Sequence, residues 1–268
     1  MNTPRIGCNT LETDSIARKT AGWSFTMDKL KKSIDIIAEA GYTDVEYSHI
    51  HHLTVKEGFE LGQYTISKGL NNWSCHAAGP KGHSVDTVEG SIAANIHCID
   101  VAAAIGAKVN VLHIWNFSHT DACRVLEKIV PYAEANRIDI ALENFDTLKN
   151  MEFIMGLVNS FDSPNLGINV DTGHANIGDL GAGRALRMAG KKLLTTHIHD
   201  NFGKIDDHMP PGTGNIDWAD VFKAFEEIGY KRTFMVELTD SLTAAREHDL
   251  LNEIEKGLQN LRKMCLKV

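Results

Sequence analysis

The chain has 268 residues, 43% of them hydrophobic and 23% charged, which is enough apolar content to bury the core of one α/β domain of ordinary barrel size. A formal net charge of -8 with no basic cluster argues against a nucleic-acid partner, because phosphate binding needs concentrated Lys and Arg. Met1 to Thr10 holds no long apolar run, and no stretch reaches the roughly 20 apolar residues of a membrane span, so no membrane partner is expected. Five widely spaced cysteines (Cys8, Cys75, Cys98, Cys123 and Cys265) form no CxxC pair. They read as reduced, buried thiols, and the expected location is cytoplasmic.

In chain order the sequence alternates strand and helix. Arg5 to Cys8 reads as a first strand, followed by a helix over Met27 to Ala40 that Gly41 stops. A second strand, Asp44 to Ser48, precedes a helix over Glu57 to Lys68; a third, Asn72 to Cys75, precedes the long apolar helix Val88 to Ile105, closed by Gly106. Strand four is Val109 to Leu112, followed by a helix over Ala122 to Asn136; strand five is Asp139 to Leu142, followed by Met151 to Phe161. Strand six runs from Leu166 to Val170, then a short helix covers Arg184 to Ala189 and strand seven begins at Leu193. Trp218 to Ile228, ended by Gly229, leads to strand eight at Phe234 to Val236, and a charged helix from about Ala244 to Met264 closes the chain. Eight such units imply parallel pairing in a closed (β/α)8 TIM barrel, a single domain over residues 1–268.

Oxygen and nitrogen ligands recur where these strands end: Glu143, then Asp171 and His174, then His197, then Asp206 and His208, then Glu237. Unpaired carboxylates and imidazoles are costly to bury, and a divalent cation offsets that cost. In such barrels the working residues stand at the C-terminal strand ends, so these side chains are expected to converge at one mouth. His76 after strand three and His113 after strand four fall in equivalent places.

The motifs Leu142-Glu143-Asn144, Asp171-Thr172-Gly173-His174, His197-Ile198-His199-Asp200, the run Asp206 to Asp217 and Val236-Glu237-Leu238 resemble those of the xylose-isomerase-like barrels. That superfamily includes sugar phosphate isomerases and epimerases, ketose 3-epimerases, inosose dehydratase and zinc-dependent AP endonucleases, and the resemblance spans the chain. It implies that Glu143, Asp171, His197 and Glu237 bind a catalytic divalent metal. It further implies that His76, His113, His174, Asp206 and His208 match positions holding additional zinc in the endonuclease branch, or else contact substrate.

The donor set suits Mn²⁺, Zn²⁺, Mg²⁺ or Co²⁺ with open positions for a carbonyl and a neighbouring hydroxyl. Glu143 and Glu237, on opposite sides of the ligand arc, suit removal and return of a proton through an enediolate. The expected function is therefore a metal-dependent isomerase or epimerase of a ketose, keto-sugar or related polyol, with a small-molecule sugar as partner. Expulsion of a β-hydroxyl from the same intermediate would give a dehydratase or lyase. An AP endonuclease-type phosphodiesterase is a third reading, opposed by the acidic charge and the small neutral run Ala77-Ala78-Gly79-Pro80. Self-association into a homo-oligomer is compatible with the sequence.

Lesser candidates are Glu46 at the end of strand two, as substrate contact or salt bridge, and Trp115 and Phe145 as an apolar wall. His49, His51 and His52 read as an exposed loop, Asp217 as the N-cap of the following helix, and Lys81, Arg184 and Lys204 as solvated cations. The long Gly- and Pro-containing connection Asp200 to Asp217 reads as a rigid loop facing substrate.

Overall fold

The short Val-, Ile- and Leu-rich runs form eight parallel strands in the computed structural model, which describes residues 4–10, 26–48, 50–77, 87–114, 116–238 and 250–265. They are β1 (Ile6–Asn9), β2 (Asp44–Tyr47), β3 (Asn71–His76), β4 (Val109–Leu112), β5 (Asp139–Glu143), β6 (Leu166–Asp171), β7 (Leu193–His197) and β8 (Phe234–Val236). The hydrogen-bonded order is β7-β6-β5-β4-β3-β2-β1-β8. The two ends of this sheet meet through a bridge between Ile198 and Val236, where the Ile198 N–H donates to the Met235 carbonyl at 2.8 Å and the Glu237 N–H to the Ile198 carbonyl at 3.1 Å. The result is a (β/α)8 barrel.

The helices are α1 (Met27–Ala40), α2 (Val55–Ser67), α3 (Val88–Ile105), α4 (His119–Ala135), α5 (Leu148–Ser160), α6 (Thr172–Ile177), α7 (Ala182–Ala189), α8 (Trp218–Ile228) and α9 (Leu250–Cys265). Several begin up to a turn before the apolar periodicity does. Thr54, Ser118 and Thr147 each accept a backbone N–H three residues on, so a polar first turn precedes the residues that face the core. α6 was not expected from the sequence; it forms because the Asp171 carboxylate that ends β6 accepts the His174 N–H at 2.7 Å. Positions 244–249 of the last expected helix lie outside the described residues, as do His49, Lys81 and Trp115.

Side chains alternate across each strand and build two cores. Outward residues such as Val45, Ile140, Leu142, Ile168 and Val170 pack beneath the helices. Trp73, Val109, Val111, Ala141, Leu194 and Met235 form a separate apolar cluster that fills the barrel interior. The apolar helix α3 has the length and composition of a membrane crossing, with mean hydropathy 1.3. Its buried residues Ser91, Asn95, Cys98, Ala102 and Ile105 lie on one face at helical spacing, the pattern of a helix packed on the barrel. All five cysteines are free, and Cys8, Cys75 and Cys98 are buried.

Candidate metal centre

Strand register places the acidic and imidazole groups side by side at the barrel mouth. Glu143 pairs in register with Asn169, and Asp171 pairs with His197, so β5, β6 and β7 deliver their last residues at similar height. Ligand atoms of Glu143, Asp171, His197 and Glu237 all lie within 4.8 Å of one another. The His197 Nδ1 stands 3.3 Å from Glu143 Oε2 and 3.1 Å from Glu237 Oε2. Glu143, Asp171 and His197 are buried; Glu237 keeps one edge open.

The other histidines converge on the same carboxylates. His76 Nε2 lies 3.3 Å and His113 Nε2 3.7 Å from Glu143 Oε2, and His174 Nδ1 lies 3.2 Å from Glu143 Oε1. On the outer side Asp206 Oδ2 lies 3.2 Å from His174 Nε2 and 2.8 Å from His208 Nε2. His208 reaches Glu237 at 3.8 Å; its backbone is left-handed, at φ 44°, which turns the ring back over the mouth. The structure thus brings together Glu143, Asp171, His197, Glu237, His76, His113, His174, Asp206 and His208.

Protonation follows from burial and charge. Burial alone lowers an imidazole pKa, but the facing carboxylates outweigh it at several positions. His197 is raised well above its ordinary value by Glu237, Glu46 and Glu143 against burial, and His174 likewise by Asp171, Asp206 and Glu143. Burial pulls His199 down, yet Asp171 and Asp206 carry it up to about 9. His76 is raised in the same way, by Glu143. His113 goes the other way: burial dominates and lowers it to about 4. Burial would raise Glu143 and Glu237, but the surrounding histidines hold both below the usual carboxylate range, so both are ionised at neutral pH.

The residues fit a divalent ion. Among the described residues, Glu143 Oε2 and His197 Nδ1 are buried and without a hydrogen-bond partner although they lie 3.3 Å apart, and Asp206 Oδ1 and His208 Nδ1 are likewise buried without one. Several ligand atoms thus converge where no described residue hydrogen-bonds to them, and the oxygen and imidazole set is that of a hard or borderline cation.

Three further residues gain roles. Glu46 is fully buried, with Oε1 2.9 Å from His197 Nε2 and Oε2 accepting a hydrogen bond from Ser74 Oγ at 2.6 Å. It faces the back of a candidate ligand and is not presented to solvent. His199 stands in the motif His197-Ile198-His199-Asp200 but was given no role from the sequence, although alternation from His197 through the outward Ile198 points it to the same side. Asp200 is buried and accepts hydrogen bonds from Asn201 N, Ile216 N, Gly212 N and Trp218 Nε1, which ties both ends of the long loop to one carboxylate. Phe145, partly exposed, sits 5.1 Å from the His174 ring. The His51 and His52 rings lie 3.8 Å apart, tilted by 43°, in a 3-10 turn at Ile50–His52 where His51 is half-buried and His52 exposed, and Asp217 caps α8. Arg184 and Lys204 are exposed.

Comparison with known proteins places this geometry in context. An uncharacterized protein of Sinorhizobium fredii is 24% identical over 87% of this chain and 91% of its own. A D-psicose 3-epimerase of Ruminiclostridium cellulolyticum is 28% identical over 42% of this chain, a match that spans only 38% of the epimerase. A solved structure of L-ribulose 3-epimerase shares the fold, with a TM-score of 0.80 over 98% of this chain and 95% of that one at 18% identity. The family model described as xylose isomerase-like TIM barrel matches residues 34–264, almost the whole barrel with its mouth. The chain belongs to the xylose isomerase-like TIM barrel family.

Proposed function

We propose that the protein is a divalent-metal-dependent epimerase or isomerase of a ketose or related keto-sugar. The observation that carries this is the approach of two ionised glutamates, from different strands, to one imidazole nitrogen: Glu143 at 3.3 Å and Glu237 at 3.1 Å from His197 Nδ1. The names of the partial relatives, ketose 3-epimerases, support the same chemistry.

Glu143, Asp171, His197 and Glu237 would hold the ion, which supplies Lewis acidity to a carbonyl and hydroxyl pair when bound. The chain's own residues do the rest. One glutamate, as its carboxylate, removes the proton from the carbon beside the carbonyl; the other, after taking up a proton from solvent, delivers that proton to the opposite face, which inverts that centre. Both are competent as bases because the histidines hold them ionised. Glu46 backs His197, Asp206 holds His174 and His208 at the rim, and the partly exposed Phe145 lies beside His174.

The test is turnover of a panel of ketopentoses and ketohexoses in heavy water by protein loaded with Mn²⁺, Co²⁺, Mg²⁺ or Zn²⁺. Solvent deuterium should appear on the carbon next to the carbonyl, and chelation should abolish it. Glu143→Gln and Glu237→Gln should each slow turnover by on the order of 10²-fold or more, with metal content measured on each variant. Full activity in both metal-loaded variants would refute the pair, and cleavage of abasic DNA without any ketose turnover would refute the substrate class.

A further inference from the structure

His199 is fully buried and stands between the inner and outer halves of the centre. Its Nε2 donates to Asp171 Oδ2 at 3.1 Å and lies 2.9 Å from Oδ1. Its ring stacks on His208 with centroids 4.1 Å apart and planes 7° from parallel. The Thr172 hydroxyl pins its backbone, accepting the His199 N–H at 3.1 Å and donating to the His199 carbonyl at 2.8 Å. On the remaining side lies Gly173, where a Cβ would come within 1.9 Å of Cε1 and 2.3 Å of Nδ1.

Two roles are chemically open to such an imidazole. Its ligand atom lies within 4.8 Å of those of His208 and Glu237, so it could be a metal ligand. Against this, Nδ1 faces Gly173 and has no hydrogen-bond partner among the described residues, whereas Nε2 faces the Asp171 carboxylate, so whether the ring carries one proton or two, Nε2 keeps one and donates it to Asp171. A nitrogen that donates a proton has no lone pair for a cation. The Asp171 carboxylate in turn has its Oδ1 occupied by the His174 N–H at 2.7 Å. It is held by a backbone donor on one side and an imidazole donor on the other, and a carboxylate oxygen lies within 4.8 Å of ligand atoms of Glu143 and His197.

We propose that His199 is a positioning residue and not a ligand: its Nε2–H aims the Asp171 carboxylate into the metal centre. This rests on the metal reading given above. Hydrogen-bonded groups behind a ligand typically change metal affinity by about 10- to 100-fold when removed.

The role can be separated from ligation by the choice of side chain. Glutamine places an amide N–H where Nε2 stands, so His199→Gln keeps the donor while removing the imidazole; His199→Leu removes both, and the shorter His199→Asn cannot reach Asp171. Apparent Kd for Mn²⁺ or Zn²⁺ is measured by competition with a chromophoric chelator, alongside a thermal melt of each metal-free protein. The expected result is near wild-type affinity for His199→Gln, and affinity weaker by about 10- to 100-fold for His199→Leu and His199→Asn. If His199→Leu does not fold, His199→Asn makes the same comparison. Loss in His199→Gln equal to that in the other two would overturn the donor role. Wild-type affinity in all three would remove any positioning role while leaving the metal centre intact. A wild-type protein that takes up no divalent ion would overturn the metal reading itself, and this inference with it.

Discussion

The substitution Asp200→Asn tests whether the loop carrying Asp206 and His208 is held by a single carboxylate. In the native chain Oδ1 accepts from Asn201 N at 3.0 Å and Ile216 N at 3.2 Å, and Oδ2 from Gly212 N at 2.9 Å and Trp218 Nε1 at 2.8 Å. Asparagine has nearly the same shape but offers one oxygen and one NH₂. Whichever way the amide turns, two donors meet a donor. Hydrogen bonds to a charged acceptor contribute about 1.5–3 kcal/mol each, so losing two predicts a destabilisation of about 3–6 kcal/mol. At about 2–4 °C per kcal/mol for a domain of this size class, Tm should fall by roughly 10 °C. Urea unfolding of metal-free protein is the appropriate assay, because bound metal adds its own stabilisation. A change below about 1 kcal/mol with an unchanged denaturant slope would show that the loop does not depend on this carboxylate.

Gly173→Ala should drive a methyl into the His199 ring, forcing it off Asp171; a stability loss of about 2–4 kcal/mol and weaker metal binding are expected, and a wild-type denaturation curve would sink the packing argument. The metal-free protein should be most stable between about pH 4.5 and 6.5, measured by thermal melts across pH. His174, His197 and His199 are raised from 6.5, His199 to about 9, so their contribution is complete below 6.5 and is lost as pH climbs through the raised values. Glu143 and Glu237 are lowered from 4.5, so theirs is complete above 4.5 and is lost on acidification. His113, lowered to about 4, penalises the acid side and pushes the optimum toward 6.5; a melt that rises steadily to pH 9 would contradict this. Because these imidazoles hold protons at pH 7 without metal, adding a divalent ion should acidify a weakly buffered solution, and binding without proton release would show the histidines are not displaced.

The barrel and its inner site residues were legible because short runs of mostly apolar residues lead up to the polar residue that ends β5, β6 and β7. Glu143, Asp171 and His197 are the last residues of β5, β6 and β7, so apolar run and chemistry shared one boundary. Helix starts were less legible: the first turns of α2, α4 and α5 face solvent and are held by Thr54, Ser118 and Thr147, which carry no apolar periodicity. α6 was invisible because its cap is Asp171, whose chemistry suggested a ligand and concealed a structural duty. Glu46 and His199 depend on contacts between strands or segments distant in the chain, so their duties cannot be seen along the sequence. Glu46 reaches His197 from β2, on another part of the barrel. Asp200 read as part of a motif, but its four donors come from points spread over the whole loop.

The seam between β7 and β8 is joined by an isolated bridge with two backbone hydrogen bonds, where the other strand junctions are ladders. His197 ends the strand on one side of it and Glu237 follows the strand on the other. An ion gripped by both would act as a clasp across the last gap in the staves. Tying residues 197 and 237 closes a loop of about 40 residues, worth on the order of 4 kcal/mol in the chain-entropy account of cross-links. The same grip that readies the site for chemistry would then complete the cylinder, and slow amide exchange at Ile198 and Glu237 ahead of the strands on the far wall.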